Sequence, residues 1–310
     1  MYNNINAIKS QESINELGIN RYDRLQKIID KMQIKDSLIK YYKPVIQSPI
    51  QFKAISECGS FLEIDKEMHI YKANFCRNRM CPVCNMRKSQ KQWLLINNYV
   101  EGIVNQYDFI FITLTVKNCA PEMLSKTLDQ LSYALQKLVK LRKWKRAVKG
   151  YIRGTEITFN STEHTYHPHI HMICAVNKDY FINPDLYISQ QELKQWWENA
   201  NNILYHSQVH IEKIDDKERT NAIAEVSKYA LKMADLLCSK DIDSDRIKYT
   251  KILYDTVRNR RLMSTAGIFA NRYLKAALDN TSLLDETEQE KQTIKLTYNK
   301  ITHDYKKINS

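Results

Sequence analysis

Residues 166–176 read Tyr-His-Pro-His-Ile-His-Met-Ile-Cys-Ala-Val. The alternation continues into Cys174-Ala175-Val176 and predicts a strand from Ile170 to Val176, where side chains two apart share a face. His169 and His171 then point the same way, and Ile170 between them faces the opposite side. Two imidazoles on one face of a stiff strand are the start of a divalent-metal site. A pair of surface histidines on an edge strand would give the same pattern, so the rest of the chain has to decide.

The surrounding periodicities supply a fold. Phe109–Val116, Phe-Ile-Phe-Ile-Thr-Leu-Thr-Val, is rich in aromatic and β-branched residues with no breaker, which predicts a buried strand. Met123, Leu124, Leu128, Leu131, Leu135 and Leu138 form an apolar stripe that predicts a long helix over 121–146. Further strands are predicted at Tyr151–Phe159 and 206–214, and further helices at Gln190–Asn201 and 218–237. The order β-α-β-β-α-β-α predicts an α+β fold, a largely antiparallel sheet with helices on one face. Leu25, Ile28, Ile29 and Met32 at helical spacing make residues 1–50 a helical segment, closed by Pro44 and Pro49. Residues 51–92 form a cysteine-rich element, 93–245 the main domain, and 246–310 a charged extension with C-terminal helices.

Charge narrows the partners. With 47 Lys+Arg against 35 Asp+Glu, the net charge of +12 favours a polyanion, nucleic acid ahead of an acidic membrane surface. No run of 18 apolar residues exists, and the opening Met-Tyr-Asn-Asn-Ile-Asn has no signal-peptide pattern. A soluble, cytoplasmic chain without membrane contact is expected. Six glycines in 310 residues, with neither a GxxxxGK[ST] nor a GxGxxG pattern, argue against a phosphate-cradling loop.

Seven cysteines in a cytoplasmic chain point to metal or free thiols rather than disulfides. Cys81 and Cys84 have the two-residue spacing that brings both thiolates to one tetrahedral ion, and Cys58 and Cys76 would complete a four-thiolate structural Zn2+ site. The alternative is four buried, inert thiols; Cys119, Cys174 and Cys238 are read that way. Around the cluster, Arg77, Arg79 and Arg87 could contact phosphates. From 137 to 153 eight cations occur with no acid, and Lys143, Trp144, Lys145 and Arg146 form their centre. Trp144 and Tyr151 could stack on unpaired bases, or the stretch is a solvated helix end. Arg258, Arg260 and Arg261 are a second basic cluster with the same two readings.

Glu225, Tyr229 and Lys232 are spaced to share one helical face. A phenol can attack phosphorus once cationic groups withdraw charge from the phosphate. Lys232 could serve in that way, and Glu225 could activate water for a hydrolytic step. A core tyrosine beside a solvated Glu–Lys pair is the plain alternative.

Taken in order, these segments resemble the rolling-circle replication initiators of small bacterial plasmids, within the HUH endonuclease superfamily. The matching residues are Phe111-Ile-Thr-Leu-Thr, His167-Pro-His-Ile-His171 and Glu225-Val-Ser-Lys-Tyr-Ala-Leu-Lys232. Cys76-Arg-Asn-Arg-Met-Cys-Pro-Val-Cys84 and Leu262-Met-Ser-Thr-Ala-Gly267 also match. The resemblance covers roughly 55–270. It implies a ferredoxin-like sheet and nicking of one origin strand by Tyr229 through a covalent 5′-phosphotyrosine, leaving a 3′-hydroxyl for a host polymerase. Origin DNA as hairpin, single strand and duplex would be the partner, with a host helicase and self-association as further candidates. One tyrosine stands here rather than a pair, so Glu225 with water is expected to close the cycle. Mn2+ or Mg2+ would need a third ligand beside His169 and His171, and Glu156 on the adjacent strand is the candidate, unless it is a solvent-facing carboxylate. His167 is accessory, because Pro168 is expected to interrupt the strand there. A relaxase or transposase of the same superfamily, or a non-catalytic zinc-knuckle DNA-binding regulator, would share parts of this pattern.

Overall fold

The computed structural model describes residues 19–228, 231, 233–237, 243–279, 282–285 and 293–308. In chain order these form helices α1 (Ile19–Tyr42) and α2 (Pro49–Glu57), strands β1 (Phe61–Ile64) and β2 (Ile70–Ala73), and helix α3 (Pro82–Glu101). Next come β3 (Tyr107–Thr115), α4 (Leu124–Leu138), α5 (Arg142–Ala147), β4 (Val148–Asn160), β5 (Thr165–Asn177), α6 (Gln190–Asn201) and β6 (Val209–Lys213). Helices α7 (Arg219–Ser227) and α8 (Asp243–Val257), strand β7 (Met263–Gly267), helix α9 (Arg272–Asp279) and strands β8 (Ile294–Asn299) and β9 (Asp304–Lys307) follow. The chain divides into two units, one of residues 1–88, 243–250 and 282–310, the other of 89–242 and 251–281.

The second unit is an α+β fold on a five-stranded antiparallel sheet, ordered β6-β3-β5-β4-β7. Strands β3 and β5 take interior positions because both carry apolar residues on both faces, leaving no side that prefers water. Ile110, Ile112 and Leu114 pair with Cys174, Met172 and Ile170, and by alternation they share the face of Arg153 and Thr155. The leucines of α4 cover that face, and α6 packs against α4. Phe109, Phe111, Ile152, Ile173 and Ala175 go to the other face. There they join Ile96 and Val100 of α3, Ile223 and Val226 of α7, and Leu274 and Leu278 of α9 in one apolar cluster. Helices therefore lie on both faces of the sheet, not on one as the order of elements suggested.

Three boundaries also depart from expectation. The 121–146 helix is broken into a 3-10 turn (Pro121–Met123), α4 and α5. The 218–237 helix ends at Ser227, where Lys228 turns to an extended ψ of 140°. Pro168 lies inside β5 rather than before it. Strand β3 pairs with β5 only as far as His169, and the next bridge on that side is Cys119 to Tyr166, so Pro168 falls in a gap of the ladder.

The first unit holds a four-stranded antiparallel sheet, ordered β2-β1-β8-β9. Its last two strands lie in the 246–310 stretch expected to be helical, as does β7; among the described residues of that stretch the helices are α8, α9 and a 3-10 turn (Ile268–Ala270). Pro49 opens α2 instead of closing a segment, with Ser48 Oγ accepting the Gln51 N–H as a cap. Lys35 of α1 is fully buried and donates to the carbonyls of Ser56 and Cys58 at 3.2 and 2.8 Å. Tyr42 donates to Met80 O at 2.7 Å. These bonds fix the chain at Cys58 and just before Cys81.

No helix among the described residues is long and apolar enough to cross a membrane.

Candidate functional site

The register of β4 and β5 sets Glu156 directly opposite His169, and Gly154 opposite His171. All four residues lie on the face that carries the α7 cluster. Glu156 Oε2 stands 3.0 Å from His169 Nε2 and 3.4 Å from His171 Nε2. The three side chains gather their donor atoms within 4.8 Å, and Glu156 and His169 are buried. Two ligands at right angles around an ion at about 2.1 Å stand about 3.0 Å apart, so the set has the spacing a small divalent cation needs. One carboxylate and two imidazoles are also a donor set that suits a divalent cation and leaves positions on it open.

The outer nitrogens orient the rings. His169 Nδ1 lies 3.2 Å from His167 O, and because a carbonyl only accepts, Nδ1 donates and Nε2 keeps its lone pair for the cluster. His171 Nδ1 is 3.0 Å from Thr113 Oγ1, on the strand-pair partner of His171. Phe111 stacks on the His171 ring at 5.5 Å. His167 stacks on His169 at 5.1 Å but is outside the ligand group; burial lowers its pKa below the usual histidine value. Nothing in a single strand's periodicity singles out Thr113. It becomes visible only through the register.

Helix α7 closes over this face through Gly154. A Cβ built there would meet Val226 O at 2.5 Å, so only glycine lets the helix end this close to the sheet. Ser227 is buried, and its carbonyl accepts from Ser89 Oγ. Beyond β7, which pairs with β4 only as far as Gly154, Leu231 bridges to Ile157 in parallel, and Asp235 Oδ2 accepts the Phe159 N–H at 3.4 Å. Leu231 and Asp235 thus both lie along β4, on the far side of Glu156 from Gly154. Glu225 is half-buried on the last turn of α7 and pairs with Lys228. Tyr229 and Lys232 lie outside the described residues. The described helix ends at Ser227, so of the helical face expected for Glu225, Tyr229 and Lys232 only Glu225 lies among the described residues.

Cys58, Cys76, Cys81 and Cys84 converge in the first unit. Their sulfurs are 3.4 Å (Cys58–Cys84), 3.5 Å (Cys58–Cys81) and 3.7 Å (Cys76–Cys84) apart. Disulfide sulfurs would be about 2.05 Å apart, whereas four thiolates around an ion at about 2.3 Å stand about 3.8 Å apart. Backbone N–H groups of Cys76, Arg77 and Asn78 donate to Cys58, Cys84 and Cys76 sulfurs, at 3.3, 3.2 and 3.4 Å. Hydrogen bonds from the neighbouring thiols, Cys76 first, hold Cys58 far below the ordinary cysteine pKa. Four sulfurs at this spacing, with three backbone N–H groups aimed at them, fit a tetrahedral cation. Arg77 sits in this loop with φ of 55°, exposed.

The basic residues divide sharply. Trp144 is only 3% exposed and cannot present its ring to a base. Arg87, 8% exposed, donates to Leu283 O and pairs with Asp285 at 3.1 Å, so it is a structural cation of the first unit. Both differ from their expected role at a surface, because each flanking cation is amphipathic and gives no sign of which face turns inward. Lys143 pairs with Glu192 at 2.8 Å, and Arg146 with Asp185 at 3.7 Å. Arg260 is held by Asp129 at 2.6 Å. Arg79 is half-buried, whereas Lys145, Arg258 and Arg261 are exposed.

Comparison with known proteins adds independent evidence. A family model described as "Replication protein" matches residues 67–309. The chain is 35% identical over 223 residues to "Protein rep" of Staphylococcus aureus, covering 70% of this chain and 96% of that one. It is 31% identical over 236 residues to "Protein rep" of Streptococcus pneumoniae serotype 2 (strain D39 / NCTC 7466), covering 73% and 72%. A "Protein rep" of Bacillus sp is 31% identical over 234 residues, covering 68% and 76%. No solved structure matches. The chain belongs to the Rep replication-protein family, the initiators of plasmid replication.

Proposed function

We propose that this chain opens rolling-circle replication by nicking one strand of plasmid DNA at the origin, with an HUH-type site in residues 93–245. The Tyr229 oxygen attacks the scissile phosphorus, the 3′-oxygen departs as a hydroxyl, and the 5′-phosphate remains on tyrosine. Reversal by an incoming 3′-hydroxyl rejoins the strand. The observation that carries the reading is the convergence of Glu156, His169 and His171 on one face of the sheet, where Val226 lies over Gly154, opposite His171, and Leu231 lies beside Ile157, one residue from Glu156.

His169, His171 and Glu156 would hold the ion, which when bound withdraws charge from the scissile phosphate. Their side chains keep fixed positions through Thr113 and the His167 carbonyl, so the reacting phosphate meets a rigid frame. Lys232 neutralises phosphate charge, and Glu225 takes a proton from the water that ends the cycle by hydrolysis. The four thiolates hold structural Zn2+ and fix the loop bearing Arg77. Exposed Arg77, Lys145, Arg258 and Arg261 contact the DNA backbone. The free 3′-end passes to a host polymerase, and a host helicase unwinds the duplex.

The test uses the full chain with Mn2+ and a labelled single-stranded origin oligonucleotide. A covalent adduct should form and map by mass spectrometry to Tyr229, and Tyr229→Phe should form none. Absence of an adduct in the wild type, or an adduct on another residue, would overturn the proposal.

A further inference from the structure

Behind the imidazole row, on the opposite face of the sheet, α4 stands away from the edge formed by β4 and β7 and leaves a pocket. Leu128 and Leu131 form one wall, Arg153 and Thr155 the floor, and Arg260 and Arg261 the rim. These residues come from three distant parts of the sequence, and nothing in the nicking chemistry uses them together.

Arg153 is the unusual member. Its Nε donates to Ser264 Oγ at 2.8 Å and one terminal nitrogen to Thr155 Oγ1 at 2.9 Å, both neutral hydroxyls. Among the described residues no carboxylate faces this guanidinium. Burial draws its pKa below the ordinary arginine value, and the other group acting on it is the neutral phenol of Tyr151. A partly buried cation without a counter-charge is costly unless something anionic joins it. At the rim Arg260 pairs with Asp129, which lowers the Asp129 pKa. Among the described residues the Arg153 guanidinium thus stands without a counter-charge, a planar fork of donors held at the base of the pocket. That fork matches the oxygens of a phosphate.

We propose that this pocket is a second, non-catalytic anion site that takes one phosphate group, gripped by Arg153 and by Arg261 at the rim. The phosphate belongs either to a DNA backbone passing behind the sheet or to a free nucleotide. Thr155, which forms the floor, is adjacent to Glu156, whose side chain points to the other face, so an occupied pocket would stiffen the strand that carries the metal ligand. The site stands apart from the nicking reading, since it depends on neither Tyr229 nor the histidines.

The experiment measures thermal unfolding of the full chain with inorganic pyrophosphate against chloride at matched ionic strength. The wild type should gain about 3 °C at about ten times the dissociation constant. Arg153→Met should abolish that gain while unfolding at the same or a higher temperature without ligand, since it removes an uncompensated charge. Arg261→Gln, at an exposed position, should weaken pyrophosphate binding at least about 10-fold and serves if Arg153→Met does not fold. Competition then separates the sources: a non-origin oligonucleotide that displaces pyrophosphate identifies backbone phosphate, and ADP alone doing so identifies a nucleotide. A gain equal in the wild type and both variants, or no gain in the wild type, overturns the site. Tyr229→Phe should keep the full gain, so loss of nicking and loss of this site read separately.

Discussion

A side chain on Gly154 would meet the carbonyl oxygen of Val226 at 2.5 Å, well inside van der Waals contact. Gly154 is thus the point where α7 is let down onto the sheet, opposite His171. Replacing it with alanine forces the helix end, and the segment after it, away from β4. Gly154→Ala should cost about 1–3 kcal/mol of stability, the usual range for overpacking. Covalent adduct yield should fall by about 100-fold, since displacements of about 1 Å can cost that much at a reacting centre. Gly102→Ala is the control, because its added Cβ would meet nothing nearer than 3.4 Å. Normal adduct formation by a folded Gly154→Ala protein would remove the positioning role.

Thr113 touches the site only through His171 Nδ1, at 3.0 Å. Losing such an outer-shell partner typically weakens metal binding about 10–100-fold. Thr113→Val should therefore raise the Mn2+ dissociation constant by that factor in a titration followed by the signal of free Mn2+. Thr115→Val removes a hydroxyl two positions on, whose partner is Gln208 O, and should leave Mn2+ affinity unchanged. Equal affinities in the wild type and Thr113→Val would mean that His171 is not held as a ligand.

Much of the sheet could be read from the chain because its strands carry strong period-two or continuous apolar signals, and α6 came out with both ends in place. What stayed hidden depended on contacts distant in sequence. Ile294, Leu296 and Tyr298 alternate as a strand should, but their pairing with β1 lies more than 200 positions away. Trp144 was hidden by its basic neighbours, whose acids Glu192 and Asp185 sit on a later part of the chain. Gly154 offered one clue: a glycine inside a strand marks a close backbone approach. The approaching element could not be named from sequence.

The four sulfurs of the first unit predict a stoichiometry. Elemental analysis should give about one zinc per chain, and chelation should lower the unfolding temperature. Cys84→Ser removes a sulfur that lies within 3.4 Å of Cys58 and accepts the Arg77 N–H, and should lose most of the zinc. Cys174→Ser changes a buried thiol of the other unit and should keep it. Full zinc content in Cys84→Ser would show that the cluster is packing rather than coordination.

Asp65 closes the β1–β2 turn and gives the first unit an acid-sensitive joint. Its carboxylate accepts from the backbone N–H groups of Glu67 and His69 at 2.7 and 3.0 Å, and from the Tyr71 hydroxyl at 2.7 Å. Its second oxygen is also 3.0 Å from His69 Nδ1. Burial by itself would raise the pKa, but these donors together hold it well below the usual carboxylate range. A pKa depressed in the folded state contributes stability above the unfolded value, near 3.9, and that contribution is lost as pH falls toward the folded value. Asp65→Asn keeps the shape and removes the charge, so it should cost about 1–3 kcal/mol at about pH 7, the range for hydrogen bonds to a charged group. The gap between wild type and variant in urea unfolding should then narrow as pH falls below about 4, because the wild type loses what the variant never had. A gap that stays constant down to about pH 3 would mean that the turn is held by shape, with the carboxylate's charge contributing nothing.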